Sequence, residues 1–486
     1  MSPIPPLLRT AIDLKEALDY AAVYLTPIGT CRSKATEWRQ NWEEDEEPHE
    51  DDGEVEIQAM EELHKLQTNY MTTVAKGKLW MSELPFRLTI TRAGCEYDGG
   101  IRAFKAEGSA DTGERLQRWY EAAAVSGYGD VKAQETKVDP AVRDAREIPA
   151  SEFSVSPDLI AQVQELWGAS FFPTQVRAEA YKIHLYGPGG KFKAHRDTPE
   201  TDLVGTFLFG LGDTSKTAQG GDVFEIKDKG KWTRHTADLG SWIAFYPDVD
   251  HSVQELARGY RAVIAFKIFR QHTDIPEVPA DVKLRGKIKD VLMKLQKPYG
   301  MLLRHRYSAG TSELNGVDAA LYAAAEESGG DVKLLPVLIR WSAYREEAEE
   351  PDRYSYRQPR PSESSCSADV FPMTEKHVDT VLAHIRTQRT HKEDDSSDSS
   401  DSELIVDLKG TDAAWINNQG TESIPFYSPA FGGTSIAWSE EVVDAVEHTG
   451  NESRPHREDS IYLSYAVVVL PKRGTKRASP EEGDDA

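Results

Sequence analysis

From Val176 to Phe269 the sequence is a series of short apolar stretches broken by turn residues, and this pattern restricts the fold more than any other feature. Val176 to Tyr186, Leu203-Val-Gly-Thr-Phe-Leu-Phe209, Gly220-Gly-Asp-Val-Phe-Glu-Ile226, a stretch opening at Trp232, Gly240-Ser-Trp-Ile-Ala-Phe-Tyr246 and Arg261 to Phe269 each read as a strand. The loop Asp213 to Ala218 and the turn Lys227 to Lys231 lie between them. Many short strands separated by turn signals predict a sandwich or jelly roll.

Helices surround this block. Ser156-Pro-Asp-Leu159 supplies an N-cap residue, a proline at the first helical position and an early acid, and Leu159, Ile160, Val163, Leu166 and Trp167 form one apolar face. Phe86 to Thr91 alternates as a strand. Nearer the N-terminus, Leu14, Leu18, Ala21, Ala22 and Leu25 have helical spacing, as do Ile57, Met60, Leu63, Leu66 and Tyr70. The acidic run between them, 43–56, repels itself and is expected to be disordered; it lacks the ligand spacing of a calcium loop. Beyond Pro279, helices over 281–296 and 314–327 and the apolar run Leu334 to Trp341 announce a second, α/β region.

A chain of 486 residues is too long for one ordinary core. The expected organisation is a helical region 1–75, a core domain 76–272, a C-terminal region 273–390, an acidic serine-rich linker 391–403, the remainder 404–470 and a charged tail 471–486. Cys31, Cys95 and Cys366 are too scattered for a disulfide framework or a thiolate metal site. Met1 to Arg9 has neither the basic start nor the apolar run of a secretory leader, and no stretch is apolar enough to span a membrane, so an intracellular location, cytoplasmic or nuclear, is expected. Pro471-Lys-Arg-Gly-Thr-Lys-Arg477 suits a nuclear address or an ordinary charged tail, and the linker serines suit an acid-directed kinase. A net charge of −24 opposes non-specific attraction to phosphate backbones.

The chemistry concentrates in Tyr186-Gly-Pro-Gly-Gly-Lys-Phe-Lys-Ala-His195-Arg-Asp197. A His and an Asp two positions apart on an extended segment face the same side and can reach one metal ion. The spacing alone is cheap: it recurs at His49 and Asp51 and at His377 and Asp379, where solvated side chains are expected. With His251, near the end of a later stretch, His195 and Asp197 complete a 2-His-1-carboxylate set of the kind that holds non-haem iron. Arg261, projecting from an apolar strand, needs a buried anionic partner, either a ligand carboxylate or one of the chain's own acids. Phe207, Phe209, Trp242, Phe245 and Ile264 read as core, His184 and His235 as structural or exposed, and Lys191, Lys193 and Arg196 as a solvated face that could also guide an acidic peptide or phosphate.

Tyr186, Gly189, Phe192, His195 and Asp197, followed by Val204-Gly-Thr206 through Asp213, Gly220-Gly-Asp222, His251-Ser-Val253 and Arg261, resemble the metal-binding segment of the prolyl 4-hydroxylase-like Fe(II)/2-oxoglutarate-dependent dioxygenases. The long C-terminal half resembles regions attached to this domain in uncharacterised fungal proteins. The resemblance implies an α+β chain with a double-stranded β-helix (jelly-roll) core, flanking helices and the additional C-terminal α/β region. It implies that His195, Asp197 and His251 hold Fe(II), that Arg261 pairs with the distal carboxylate of 2-oxoglutarate, and that Tyr186 and Thr206 hydrogen-bond to that carboxylate. The implied reaction consumes O2 and 2-oxoglutarate, with ascorbate as a reductant, releases succinate and carbon dioxide, and hydroxylates a protein or peptide side chain, prolyl foremost. This sequence has Arg where the collagen-type enzymes use Lys, and Phe192 where some relatives have Tyr; neither change removes an iron ligand, and the Arg is nearer to other branches of the superfamily, which argues against transferring a collagen substrate. Two other readings stay open: a nucleic-acid dealkylase on the same fold, which the acidic charge disfavours, and an inactive module that binds partners through its acidic segments.

Overall fold

The computed structural model describes residues 72–79, 86–105, 108–130, 135–229, 231–272, 282–295, 298–308, 310–345, 364–392, 424–427, 441–443 and 462–470, with 28–32 and the isolated helical positions Ala17, Ala59, Glu62, Leu63, Lys65 and Leu66. The acidic run 43–56 with His49, the serine run beyond Lys392 and the tail 471–486 lie outside the described residues. The fold is mixed α+β and mostly sheet. Among the described residues no helix is long and apolar enough to cross a membrane.

The strands expected between Val176 and Phe269 form two antiparallel sheets. One has seven strands, in spatial order Val74–Lys78, Ser241–Phe245, Leu203–Asp213, Arg261–Arg270, Val176–Tyr186, Arg146–Pro149 and Ala124–Val125. The other has five, in the order Lys231–His235, Phe224–Asp228, His251–Val253, Lys191–His195 and Arg143–Asp144. Strand side chains alternate between faces, and the register sorts them. Thr206, Leu208, Arg261, Val263, Ala265, His184 and Tyr186 of the larger sheet line a cavity with Phe192, His195, Phe224, His251 and Val253 of the smaller one.

The opposite face of the larger sheet, with Ile183, Leu185, Phe207, Phe209 and Ile264, packs with the helices Ser109–Ala122 and Pro157–Gly168 through Leu116, Trp119, Leu159, Val163 and Trp167. Trp242, half-buried, stacks on Phe207 with ring centroids 5.3 Å apart. The Pro157–Gly168 helix starts where its proline and cap predict, yet the Ser156 hydroxyl makes no cap bond and instead accepts from the Arg87 N–H at 3.2 Å. Gly259, in the turn before Arg261, has φ +77, and a Cβ there would collide with the Thr214 carbonyl, so the approach to Arg261 requires glycine on two counts.

The C-terminal strands build a separate sheet that closes on itself. Its order is Tyr307–Ser308, Tyr462–Leu470, Tyr299–Leu302, Ile424–Tyr427, Gly29–Arg32, Ser364–Pro372, Asp331–Arg345 and Glu441–Val443, and Tyr462–Leu470 also pairs with Asp331–Arg345, making a ring of six strands. Gly29–Arg32 falls in a region expected to be helical; it is a short strand running parallel to Ile424–Tyr427 and antiparallel to Ser364–Pro372. All nine residues of Tyr462–Leu470 are buried because both faces are covered. Ala466, Val468 and Leu470 pack with Leu302, Val337, Ile339 and Val370, while Val467 and Val469 pack against the helices Val282–Leu292 and Gly316–Glu327. His377, expected to be solvated, is buried in the helix Glu375–Lys392 and shares a 2.6 Å hydrogen bond with the Thr374 hydroxyl; burial pushes its pKa down to about 4.

Candidate metal centre

His195 and His251 are direct cross-strand partners in the smaller sheet, so their imidazoles share a face, with ring centroids 4.1 Å apart. Asp197 follows the strand and is tied by its backbone: its N–H donates to the Pro247 carbonyl at 3.0 Å, and its own carbonyl accepts from the Tyr462 hydroxyl at 2.7 Å. Its side chain is fixed as well, since the Thr206 hydroxyl donates to Oδ2 at 2.5 Å while Oδ1 lies 3.8 Å from His251 Nε2. One atom from each of His195, Asp197 and His251 lies within 4.8 Å of the others, and all three residues are buried.

The two imidazoles are oriented alike. Nδ1 of His195 is 2.8 Å from the Lys193 carbonyl and Nδ1 of His251 is 2.9 Å from the Val249 carbonyl. A carbonyl only accepts, so each Nδ1 carries a hydrogen, which leaves Nε2 as the ring atom available to a metal ion. Nε2 of His195 is buried with no hydrogen-bond partner. Burial, with the neighbouring His251, holds His195 well below the ordinary imidazole value, so it is neutral at pH 7. A buried, unprotonated nitrogen beside a second imidazole and a carboxylate is the donor set that a divalent transition ion needs. The residues therefore fit an iron(II) ion.

Two arginines line the same cavity. Arg261 begins its strand between Tyr186 and Asp213 as register partners, and its Nη1 donates to Asp213 Oδ2 at 2.8 Å. Asp213 also accepts from the Ser215 N–H at 2.9 Å, the Ser215 hydroxyl at 2.5 Å and the Ala237 N–H at 2.8 Å. The anionic partner expected for Arg261 thus exists within the protein. Arg143, unnoticed in the sequence, stands over the Phe192 ring, 4.5 Å from its centroid, donates to the Gly127 carbonyl at 2.9 Å and reaches Nδ1 of His184 at 2.9 Å. Burial, then Arg143, keeps His184 neutral, and a hydrogen bond ties the Tyr186 phenol to Arg143. Burial pushes the Tyr186 phenol up, so it holds its proton.

Of the expected carboxylate-binding set, Arg261, Tyr186 and Thr206 all line the cavity, but the Thr206 proton is committed to Asp197. Phe245, read as core, is buried and also faces the cavity, 4.8 Å from the His251 ring. Beside the triad, Lys193 is exposed and Lys191, half-buried, approaches Glu255 at 3.7 Å, whereas Arg196 pairs with Asp250 at 2.8 Å with its side chain only 20% exposed and so does not belong to a solvated face.

The loop that delivers His251 is held from the C-terminal unit. Asp248 accepts from His305 Nδ1 at 3.1 Å and from the Arg306 N–H at 3.1 Å. Asp318 in turn accepts from the backbone of Arg304 and His305, at 2.9 and 2.8 Å. Burial disfavours both charges of the pair, yet His305 holds Asp248 down to about 2, and Asp248 raises His305 above its ordinary 6.5. A depressed carboxyl loses its stabilising contribution as pH falls from 3.8 toward 2, and a raised imidazole loses its contribution as pH climbs through its folded value. The pair therefore contributes most between those limits. His305→Gln is expected to flatten the fall in stability above pH 6.5, read as the urea midpoint from pH 5 to 9. A slope identical to that of the parent would show that the pair does not titrate.

Among solved structures, the chain is similar to a prolyl-4-hydroxylase from Pseudomonas putida, at 15% identity over 39% of this chain and 95% of that one, with TM-score 0.26. It is similar to a prolyl hydroxylase from Trichoplax adhaerens in complex with a hypoxia inducible factor oxygen degradation domain peptide fragment, at 14% identity over 44% and 90%, TM-score 0.26. A third likeness is the viral collagen prolyl hydroxylase of Paramecium Bursaria Chlorella virus-1 in its 2OG complex, at 12% identity over 39% and 99%, TM-score 0.23. No family model matches the chain, and no curated protein does.

Proposed function

We propose that the chain is an iron(II)- and 2-oxoglutarate-dependent dioxygenase that hydroxylates a protein side chain, with prolyl as the leading substrate, and that its two facing sheets are a double-stranded β-helix. The observation that carries this reading is the pair of buried imidazoles. Each is pinned through Nδ1 to a backbone carbonyl, and the Nε2 atoms converge with a carboxylate inside an arginine-lined cavity. Three protein ligands leave positions open for a cosubstrate and oxygen. The bound iron would supply the oxidising chemistry, coupling decarboxylation of 2-oxoglutarate to hydroxylation of the substrate.

The chain's own residues orient and shield. Thr206 holds one oxygen of Asp197, which leaves the other toward His251. Phe192 stacks on His195, with ring centroids 3.5 Å apart, and together with Phe224, Phe245 and Val253 excludes water from the ligand atoms. Arg261 is the proposed partner of the distal 2-oxoglutarate carboxylate, with the Tyr186 hydroxyl beside it. A guanidinium has five N–H donors, and the contact with Asp213 does not exhaust them. Thr206 is better assigned to steadying Asp197 than to the cosubstrate.

Purified protein given Fe(II), ascorbate and 2-oxoglutarate is expected to release succinate, and His195→Ala none. Equal succinate from both would sink the enzyme reading and leave a binding module. The net charge of −24 favours a protein over a nucleic-acid substrate. Trapping with Asp197→Ala tests that choice: enrichment of methylated oligonucleotides without peptides would reverse it.

A further inference from the structure

We propose that the C-terminal unit is a positioning element of the metal centre, with Tyr462 setting the Asp197 peptide and His305 setting the loop that delivers His251. This rests on the metal reading above and extends it to a part of the chain that reading does not use.

Asp197 lies beyond the end of its strand and lacks the regular ladder bonds that fix His195 and His251. Its peptide is held instead by Pro247 on one side and by Tyr462, 265 positions away in sequence, on the other. Tyr462 opens a strand that is buried along its whole length. Tyr462 itself pairs with Ser308, and the strand is held by Asp331–Arg345 from Ser464 onward and by Tyr299–Leu302 from Ala466 onward, so the hydroxyl is presented from a strand anchored in the closed ring. Rotation of the Asp197 peptide would swing the carboxylate away from the two imidazoles.

The second hold acts through Pro247 and Asp248. Residues 246–250 connect the Ser241–Phe245 and His251–Val253 strands, and the Pro247 carbonyl takes the Asp197 N–H. Asp248 of this loop is clamped by His305 and Arg306, and Tyr246 packs its ring 4.3 Å from that of His305. Two of the three ligand segments are thus tied to one neighbouring unit. Outer hydrogen bonds that orient metal ligands typically change metal affinity by about 10–100-fold when removed.

The alternative is that these bonds merely fasten two units together. Tyr465 provides a matched control: on the same strand, its hydroxyl donates to the Ser308 carbonyl at 2.8 Å, and that bond lies within the C-terminal unit. Co(II) affinity of the full chain, titrated through its visible absorption, separates the two ideas without turnover. Tyr462→Phe is expected to weaken Co(II) binding by about 10–100-fold, with Tyr465→Phe unchanged, although each loses a hydroxyl-to-carbonyl hydrogen bond, buried for Tyr462 and part-buried for Tyr465, and some thermal stability. Equal binding by Tyr462→Phe and the parent, or equal weakening in both Phe variants, overturns the proposal. Should Tyr462→Phe fail to fold by far-ultraviolet circular dichroism, His305→Gln takes its place, and parental affinity in that variant overturns the proposal likewise. A parent that binds no Co(II) at all refutes the metal reading itself, a result distinct from a parent that binds and a Tyr462→Phe that binds as well.

Discussion

Asp197→Ala is expected to weaken metal binding by well over the roughly 100-fold that loss of an outer hydrogen bond costs, and to abolish succinate release. The carboxylate is the one anionic ligand type of the three, and imidazole, which binds a metal as an uncharged ligand, cannot replace its charge. Removing it also strands the Thr206 hydroxyl, which loses the acceptor of its 2.5 Å bond. Co(II) titration with a thermal melt checks the result: affinity should collapse while the fold survives, since the backbone bonds of residue 197 to Pro247 and Tyr462 need no side chain. Parental affinity in this variant would remove Asp197 from the ligand set.

Asp213→Ala should be strongly destabilising, costing about 3–5 kcal/mol, because it leaves the Arg261 guanidinium buried without its carboxylate. The Ser215 and Ala237 donors lose their acceptor at the same time. A buried pair replaced whole can be neutral, whereas a buried pair broken is not. The double variant Asp213→Ala with Arg261→Met should therefore unfold at higher urea than Asp213→Ala alone, yet release no succinate. A single variant as stable as the parent would mean that Arg261 is not held by Asp213 in solution. If Arg261 served only as a structural cation, the double variant would keep its activity, and the cosubstrate assignment would fail.

These two sites differ in how far the sequence reveals them. His195 and Asp197 are found by residue type and two-residue spacing, and His251 and Arg261 by residue type beside apolar runs; the strand Val176–Tyr186 that leads into them has the bounds its apolar run predicts, although Asp197 lies just past the end of its own strand. Local pattern is enough there. Arg143 escaped because nothing near it in sequence marks it: only its register opposite Phe192 and its reach to His184 bring it inside. The partner of Arg261 is not legible in the sequence, because Asp213 lies 48 positions away and one acid among many gives no signal. Tyr462 and His305 were invisible for the same reason, since contacts between units leave no periodicity in either. The helix Ser109–Ala122 was missed because its apolar face rests on few large residues, among them Leu116 and Trp119, within a charged stretch. Gly29–Arg32 was missed because four residues are too short for any alternation to register.

That small strand has a consequence for the order in which the molecule can be completed. Gly29–Arg32 occupies the slot between Ser364–Pro372 and Ile424–Tyr427, and Tyr462–Leu470 closes the ring beside Tyr299–Leu302. During synthesis the three ligand side chains have all emerged once His251 has passed, while the tyrosine that abuts Asp197 is still unmade. At about 5–20 residues per second, the interval from Arg261–Arg270 to Tyr462–Leu470 lasts roughly 10–40 s, and the neighbours of Gly29–Arg32 are made within it, before the ring can close. The ring is a contact of high sequence separation and forms late. On the proposed metal reading, a nascent chain would carry all three ligand residues before it has the strand proposed to steady them, and metal capture would tighten only when Tyr462–Leu470 arrives.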